Sequence, residues 1–269
     1  MKPKFDNLLL EITKTTHGRI SESQTFSDFL QYGALLLSIR TDPVHSEQRA
    51  KAFEQLKTNY KDDEWNALHK GMTNLCHRFE KNTKISRYED IFKDFFFLIG
   101  ASSKTHKQDF TPSGVSRLIS ALSIPAHPSL PEDGFFTLCD HACGSGSLLL
   151  EAVQRFSSSG HNPSAQLVIQ AADIDSRCVY MTYLQLSLYG IPAVIVHGNT
   201  MSLKEYDRWY TPAYLWGRWI WRAPMQFGND GYISDEKLKY FTEPTYAAFQ
   251  YIEHLHLTTD DGMDNTGGT

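Results

Sequence analysis

The sequence has little of what marks metal-binding, secreted and membrane proteins. Its four cysteines, Cys76, Cys139, Cys143 and Cys178, include no C-x-x-C pair, which argues against a zinc site or a disulfide framework. We expect free thiols in a reducing cytoplasm. No stretch approaches the ~20 consecutive apolar residues of a membrane span, and the polar residues 1–6 are unlike the start of a signal peptide. We therefore expect a cytoplasmic protein with no membrane segment and no metal site.

Excess positive charge is also missing. The chain has 26 Lys and Arg against 31 Asp and Glu, which gives a net charge of −5. A protein that grips DNA alone usually has a basic face, so contact with DNA would depend on local charge or on a partner protein. Hydrophobic residues make up 41% of the chain, which is enough for a substantial core.

The first hundred residues predict helices only. A short helix and a polar linker are expected before residue 24, and apolar periodicity predicts helices over 26–39, 46–60 and 65–79. Asp42-Pro43 should end the first of these three helices. The aromatic-rich stretch 88–100 predicts a further, buried helix. Its rings could instead stack on nucleic-acid bases, although their helical spacing favours a place in the core.

A strand, a glycine loop and a helix are predicted next. Residues 135–139 favour a strand that ends in Asp140, and a small-residue turn leads into a helix over 148–156. Gly144 and Gly146 permit a sharp turn and a close approach of the backbone to a ligand. In a dinucleotide fingerprint a third glycine would follow three residues later, but Leu149 stands there.

The carboxylate of Asp140 narrows the choice of ligand for this loop. It would repel a pyrophosphate, whereas it suits a ligand that carries an ammonium group. S-adenosylmethionine (SAM) has an adenosine, an ammonium and a sulfonium and no phosphate. The strand, the acid and the glycine loop therefore predict a SAM site.

Two further strands should end near the loop. Residues 166–172 predict a strand that leads to Asp173, and 193–196 predict one that leads to Asn199. Between them we expect a helix over 177–189, capped by Asp175 and ended by Gly190. Parallel β-α-β-α-β order implies a doubly wound sheet with its ligand at the carboxyl ends of the strands. Asp173 could accept hydrogen bonds from ribose hydroxyls or be an exposed loop acid, and Asn199 could bind adenine or be a plain turn residue.

The run D-H-A-C-G-S-G-S-L-L from Asp140 resembles the SAM-binding motif of adenine-N6 DNA methyltransferases, especially the modification subunits of type I restriction systems. Residues 108–112, Q-D-F-T-P, are similar to a Gln-Phe-Tyr-Thr-Pro segment of that family that lies over the SAM pocket. The segments 172–175 and 197–200 resemble its second and third strand ends. The resemblance covers residues 91–200.

The resemblance implies a Rossmann-like, SAM-dependent methyltransferase domain over 101–257, with a doubly wound α/β sheet. An all-helical region, 1–100, precedes it, and a disordered tail, 258–269, follows. The implied cofactor is SAM. The implied cofactor-binding residues are Phe110, Thr111, Pro112, Asp140, Cys143, Gly144, Ser145, Gly146, Asp173 and Asn199.

The implied reaction is transfer of a methyl group from SAM to a flipped adenine in DNA. DNA is then a partner, and a separate specificity subunit or a second copy of the chain is a further possibility. The setting would be a restriction-modification system, a phage or a plasmid.

The sequence departs from the family at the catalytic motif, Asn/Asp-Pro-Pro-Tyr/Phe, at the end of the fourth strand. Residues 214–220 predict that strand, and Arg222, Ala223, Pro224 and Met225 fill the slot after it. Arginine is a fixed cation without an acceptor for the adenine amine. The alternative is a non-catalytic SAM-binding or DNA-binding relative that acts as a partner or regulator. A methyltransferase for RNA, protein or a small molecule is a third possibility, because the fold does not determine the acceptor.

Overall fold

The computed structural model describes residues 18–93 and 129–223, together with Thr16 and Phe96. We number the elements of this part in chain order. The helices before the sheet are α1 (Glu22–Thr41), α2 (Ser46–Lys57) and α3 (Asp62–Lys84). The sheet region contains β1 (Phe136–Asp140), α4 (Ser147–Ser158), α5 (Pro163–Gln166), β2 (Leu167–Asp173), α6 (Ser176–Leu188), β3 (Ala193–Asn199), β4 (Lys204–Tyr210), α7 (Pro212–Trp216) and α8 (Trp219–Arg222). The short helix predicted before residue 24 lies outside the described residues, as does the tail from 258.

The three helices predicted between residues 26 and 79 are confirmed, with different ends. Asp42 ends α1 as predicted, and its carboxylate accepts from the backbone N–H of Val44 at 3.1 Å. Helix α3 is longer than predicted because acidic residues favour its first turn. There the Glu64 carboxylate accepts from the backbone N–H of Lys61 at 2.8 Å.

The aromatic stretch after α3 belongs to the core where it is described. Ile91, Phe92 and Phe96 are buried, and the ring of Phe26 lies 6.2 Å from that of Phe92. A base-stacking role for these side chains is therefore wrong. The helix predicted over 88–100 does not include residues 88–92, because Asp90 accepts from the N–H groups of Phe92 and Lys93 as a helix cap does.

The helical region and the sheet share one hydrophobic core. Gly33 in α1 marks the closest approach of the helices. A Cβ on Gly33 would lie 2.1 Å from Cε of Met72 in α3 and 3.1 Å from Cδ2 of Leu184 in α6. Helix α1 can therefore pack against both helices only because residue 33 has no side chain.

A buried ion pair joins α2 to the edge of the sheet. The Arg49 guanidinium donates to both carboxylate oxygens of Asp207, at 2.5 and 2.8 Å, and to the carbonyl oxygen of Arg208 at 2.9 Å. It also lies 3.5 Å from the ring centroid of Trp209. Helix α2 and strand β4 are thus held together by charge, hydrogen bonds and stacking.

The described sheet has the order β1-β2-β3-β4. Strands β1, β2 and β3 are parallel, with Asp140 opposite Ala171 and Asp173 opposite His197. Every residue of β2 is buried, as is typical of a parallel strand that is covered on both faces. A mixed α/β fold is therefore confirmed, and the three predicted parallel strands are present.

The prediction of a fourth strand over 214–220 is wrong. That segment forms α7 and α8, and the fourth strand of the described sheet is β4, which runs antiparallel to β3. The reason lies at Thr211-Pro212. The Thr211 side chain caps α7 by accepting from the N–H of Tyr214, and Pro212 occupies the first turn, where proline favours a helix.

No helix in the described ranges is both long and apolar enough to cross a bilayer.

Candidate functional site

Three parallel strands end side by side, as the sequence predicts. Asp140 ends β1, Asp173 ends β2 and Asn199 ends β3. Just beyond the strands, the Thr200 hydroxyl donates to the carbonyl oxygen of His141 at 2.7 Å. This bond joins the segment after β3 to the segment after β1 across the end of β2.

The loop after β1 depends on its two glycines. Gly144 has φ +56° and Gly146 has φ +87°, a region that favours glycine. A Cβ on Gly146 would also lie 3.0 Å from Oγ1 of Thr182 in α6. The backbone N–H of Cys143 donates to the carbonyl oxygen of Ala172 at 3.0 Å, so the loop folds back over the end of β2.

Helix α6 holds this loop from the protein side. The Thr182 hydroxyl donates to the carbonyl oxygen of Gly144 at 3.1 Å, and the Gln185 amide donates to that of Ser145 at 2.6 Å. Both side chains are fully buried. These residues were not predicted, although two polar residues three apart within the otherwise largely apolar run 178–186 were a usable signal.

Asp173 anchors the loop as well as ending β2. Its carboxylate oxygens accept from the backbone N–H groups of Gly144 and Asp175, both at 2.9 Å. Burial raises the pKa of Asp173, and the hydrogen bonds from these N–H groups oppose that rise. Asp173 is 9% exposed, so it is not an exposed loop acid. Asp175 caps α6, as predicted.

Asp90 is a second acid at the loop, and the sequence analysis missed it. Its Oδ2 accepts from the hydroxyls of Ser145 and Ser147, and its Oδ1 accepts from the Gln185 amide at 3.2 Å. Burial raises the pKa of Asp90, and the serine hydrogen bonds oppose the rise. The contact joins residues 55 apart in the chain, and no local pattern in the sequence indicates it.

Two predicted cofactor-binding side chains point into the protein. Ser145 is fully buried, and Cys143 is 6% exposed, with its Sγ 3.5 Å from the Thr182 hydroxyl. Burial raises the pKa of the Cys143 thiol well above its usual range. At these two positions the side chain is therefore not available to a ligand.

The other strand ends differ in what they offer. The Oδ1 of Asn199 accepts from the N–H groups of Met201 and Ser202, at 3.0 and 3.2 Å. Asn199 therefore forms a turn and has its Nδ2 left for a ligand. Beside the buried Asp173, the side chain of Ile174 is 59% exposed, which provides an apolar surface at the same edge of the sheet.

The described part of the predicted catalytic slot, Arg222 and Ala223, does not lie beside the glycine loop. The Arg222 guanidinium lies 3.9 Å from the ring centroid of Trp219 and 5.7 Å from that of Phe135. Phe135 precedes β1, so Arg222 lies near the opposite end of that strand from Asp140, and the strand separates Phe135 from Asp140 by roughly 17 Å at about 3.3 Å per residue. Ala223 ends α8. Other predicted site residues lie outside the described part of the chain: Phe110, Thr111, Pro112, Pro224 and Met225.

The family of the chain is shown by comparison with known proteins. A family model described as N-6 DNA methylase matches residues 86–262, well over half of the chain. The chain belongs to the N-6 DNA methylase family. The matched segment of this family member contains Asp90, the glycine loop and all four described strands. The resemblance found in the sequence is thus confirmed. Neither the curated proteins nor the solved structures include a significant match.

A metal centre has no candidate in the described ranges. There, no group of three or more His, Cys, Asp or Glu side chains is arranged to hold an ion.

Proposed function

We propose that this N-6 DNA methylase family protein binds SAM at the glycine loop and transfers its methyl group to the exocyclic amine of an adenine in DNA. The observation that carries the proposal is the loop itself. A carboxylate ends β1, and the backbone then turns through two positive-φ glycines that Asp173 and α6 hold in place. The backbone of this loop lies at the carboxyl edge of a parallel sheet, where α/β folds bind nucleosides.

The chemistry of the residues fits SAM better than a nucleotide. Asp140 is partly exposed, and its Oδ1 accepts from the N–H of Ala142 at 3.1 Å, which leaves further lone pairs for an ammonium group. The Ser145 hydroxyl is buried, and the Ser147 hydroxyl at the start of the next helix also donates to Asp90, so neither is left for a phosphate. These groups suit a cationic ligand without phosphate.

The neighbouring strand ends supply groups for the adenosine. Asp173 retains acceptor capacity for a ribose hydroxyl beyond its two backbone hydrogen bonds. The exposed Ile174 can pack against the purine ring, and the Asn199 Nδ2 can donate to a ring nitrogen. Phe110, Thr111 and Pro112 lie outside the described residues, and their place over the pocket stays a prediction.

The residues of the chain would act by binding and orientation. SAM supplies a methyl group on a sulfonium that a nucleophile can take directly. Asp140 would hold the ammonium end and Asp173 the ribose, and together they would fix the orientation of the bound cofactor. A target adenine must leave the duplex to meet it, and positioning of the two reactants supplies most of the rate increase in such a transfer.

A second candidate function is a non-catalytic member of the family, and the absence of the catalytic motif favours it. The sequence contains no Asn/Asp-Pro-Pro-Tyr/Phe motif, and Arg222 packs on Trp219 at the far end of β1. Such a protein would bind SAM or DNA as a partner or regulator.

Contact with DNA is proposed to involve a partner. The net charge of −5 gives the chain as a whole no basic excess. A separate specificity subunit or a second copy of this chain would then supply part of the contact. We place the protein in the cytoplasm, with DNA and SAM.

Methyl transfer to bulk DNA separates the two functions. The full chain is incubated with SAM carrying a labelled methyl group and unmethylated genomic DNA, and mass spectrometry identifies the labelled base. We expect N6-methyladenine from the wild type and none from Asp140→Ala. Binding of SAM without a labelled base, in the presence of candidate partner proteins, would instead support the non-catalytic function.

A further inference from the structure

Both serine hydroxyls of the G-S-G-S loop donate hydrogen bonds to the same carboxylate oxygen. The hydroxyls of Ser145 and Ser147 donate to Oδ2 of Asp90. Ser147 is the first residue of α4, and Gly146 caps that helix. The carboxylate therefore lies at the start of α4.

The start of a helix after a glycine loop is where many nucleotide-binding folds hold a phosphate. Backbone N–H groups and the helix dipole attract an anion there, and loop hydroxyls donate to it. In this protein the negative charge at that position belongs to Asp90. The Gln185 amide and the backbone N–H of Lys93 donate to its other oxygen, at 3.2 and 3.0 Å, which keeps the carboxylate in place.

We propose that Asp90 is a specificity-determining residue of the nucleoside site, which excludes nucleotides with a 5′-phosphate and so favours a phosphate-free adenosyl ligand. The inference rests on the proposed function, in which that ligand is SAM. Asp90 acts in two ways. It places a negative charge beside the position of a phosphate, and it accepts from the Ser147 hydroxyl at the start of α4, which would otherwise be able to donate to one.

Other acids near the loop would also repel a phosphate, but the serine hydroxyls donate to Asp90. Asp140 and Asp173 also carry negative charge at this edge, and Asp173 accepts from the loop backbone. Asp175 is paired with Arg177. Replacement of Asp90 alone therefore removes one charge and also weakens the hydrogen bond that holds the Ser147 hydroxyl.

The test compares adenosine diphosphate (ADP) with SAM by calorimetry on the full chain at low salt. Asp90→Asn keeps the shape and the helix cap, since asparagine caps as well as aspartate. We expect the ratio of the Kd for ADP to the Kd for SAM to fall by about tenfold or more, because a unit charge within a few ångströms of a partly buried site has at least that effect. Added salt should reduce the difference between wild type and variant.

Asp28→Asn is the matched control. Asp28 is also a buried carboxylate, and it accepts from the Tyr60 hydroxyl and the Gln24 amide, both at 2.7 Å, within the helical region. Its replacement should leave the ratio unchanged. Asp90→Ser, which also retains a capping side chain, serves if Asp90→Asn does not fold.

Three results would overturn the inference: an unchanged ratio in the Asp90 variant, an equal shift in Asp28→Asn, or ADP binding by the wild type as tight as that of SAM. Failure of the proposed function looks different, because the wild type would then bind no SAM. In that case the inference is tested by the binding of ADP alone. Binding by Asp90→Asn but not by the wild type supports the inference, and any other result rejects it.

Discussion

The backbone N–H of Gly144 donates to the carboxylate of Asp173 at 2.9 Å. This hydrogen bond ties the glycine loop after β1 to the end of β2. The sequence predicts separate roles for the two residues, Gly144 in the cofactor-binding loop and Asp173 as an acceptor for the ribose. In the structure the two residues are hydrogen-bonded to each other, so Asp173 holds the loop in its shape without a ligand.

Replacement of Gly146 by alanine should destabilise the protein by about 2 kcal/mol. The new Cβ would meet Oγ1 of Thr182 at 3.0 Å, on a backbone with φ +87°. Gly160→Ala is the control, because Gly160 has φ +90° and nothing within 4 Å of an added Cβ. It should lose only about 1 kcal/mol. Urea unfolding measures both, and equal losses would contradict the close contact with Thr182.

Replacement of Arg222 by alanine should leave SAM binding within about twofold of the wild type. The guanidinium packs over Trp219, so its loss should cost about 1 kcal/mol of stability at most. Calorimetry with SAM and urea unfolding measure the two effects. A large loss of SAM affinity would show that Arg222 acts at the cofactor site after all.

Replacement of Arg49 by alanine should cost about 3 kcal/mol, because it leaves the partly buried Asp207 without its partner. Lys51→Ala is the control, since Lys51 pairs with Glu47 on the exposed face of α2 and should contribute less than about 0.5 kcal/mol. Because α2 and β4 share one core, circular dichroism and tryptophan fluorescence should show one transition. Equal, small losses in the two variants would contradict the link between α2 and the sheet.

The cysteines should differ in their reaction with iodoacetamide at pH 8. Burial raises the pKa of all four thiols, but Cys143 and Cys178 are also buried and so lack access to the reagent. Cys139 is exposed and should be modified first, as mass spectrometry of the peptides can show. In urea the difference should vanish. Modification of Cys143 in the folded protein as fast as Cys139 would contradict the buried loop.

The site end of the sheet was largely predictable from the sequence, because local signals agree there. The apolar run before Asp140, the two glycines and the capping Asp175 each indicate the structure that forms. The contacts that hold the loop were not predictable in this way. Asp90 and Gln185 reach it from distant parts of the chain, and such pairings leave no periodic pattern.

The region after β3 was predicted wrongly because short apolar runs fit helices and strands alike. Residues 214–220 have no periodicity that decides between the two. The deciding signal was Thr211-Pro212, which starts a helix. Strand β4, Lys204–Tyr210, has no clear apolar alternation in its sequence, because the charged Arg208 occupies a buried position, where it pairs with Glu205.

Calorimetric titration of the full chain with SAM tests the central claim most directly. The wild type should bind, and Asp140→Ala should bind at least about tenfold more weakly, because a hydrogen-bonded charge pair contributes that much. Asp133→Ala is the matched control, since Asp133 is an exposed acid just before the same strand, and it should bind like the wild type. No binding by the folded wild type, or equal binding by Asp140→Ala, would contradict a SAM site at the glycine loop.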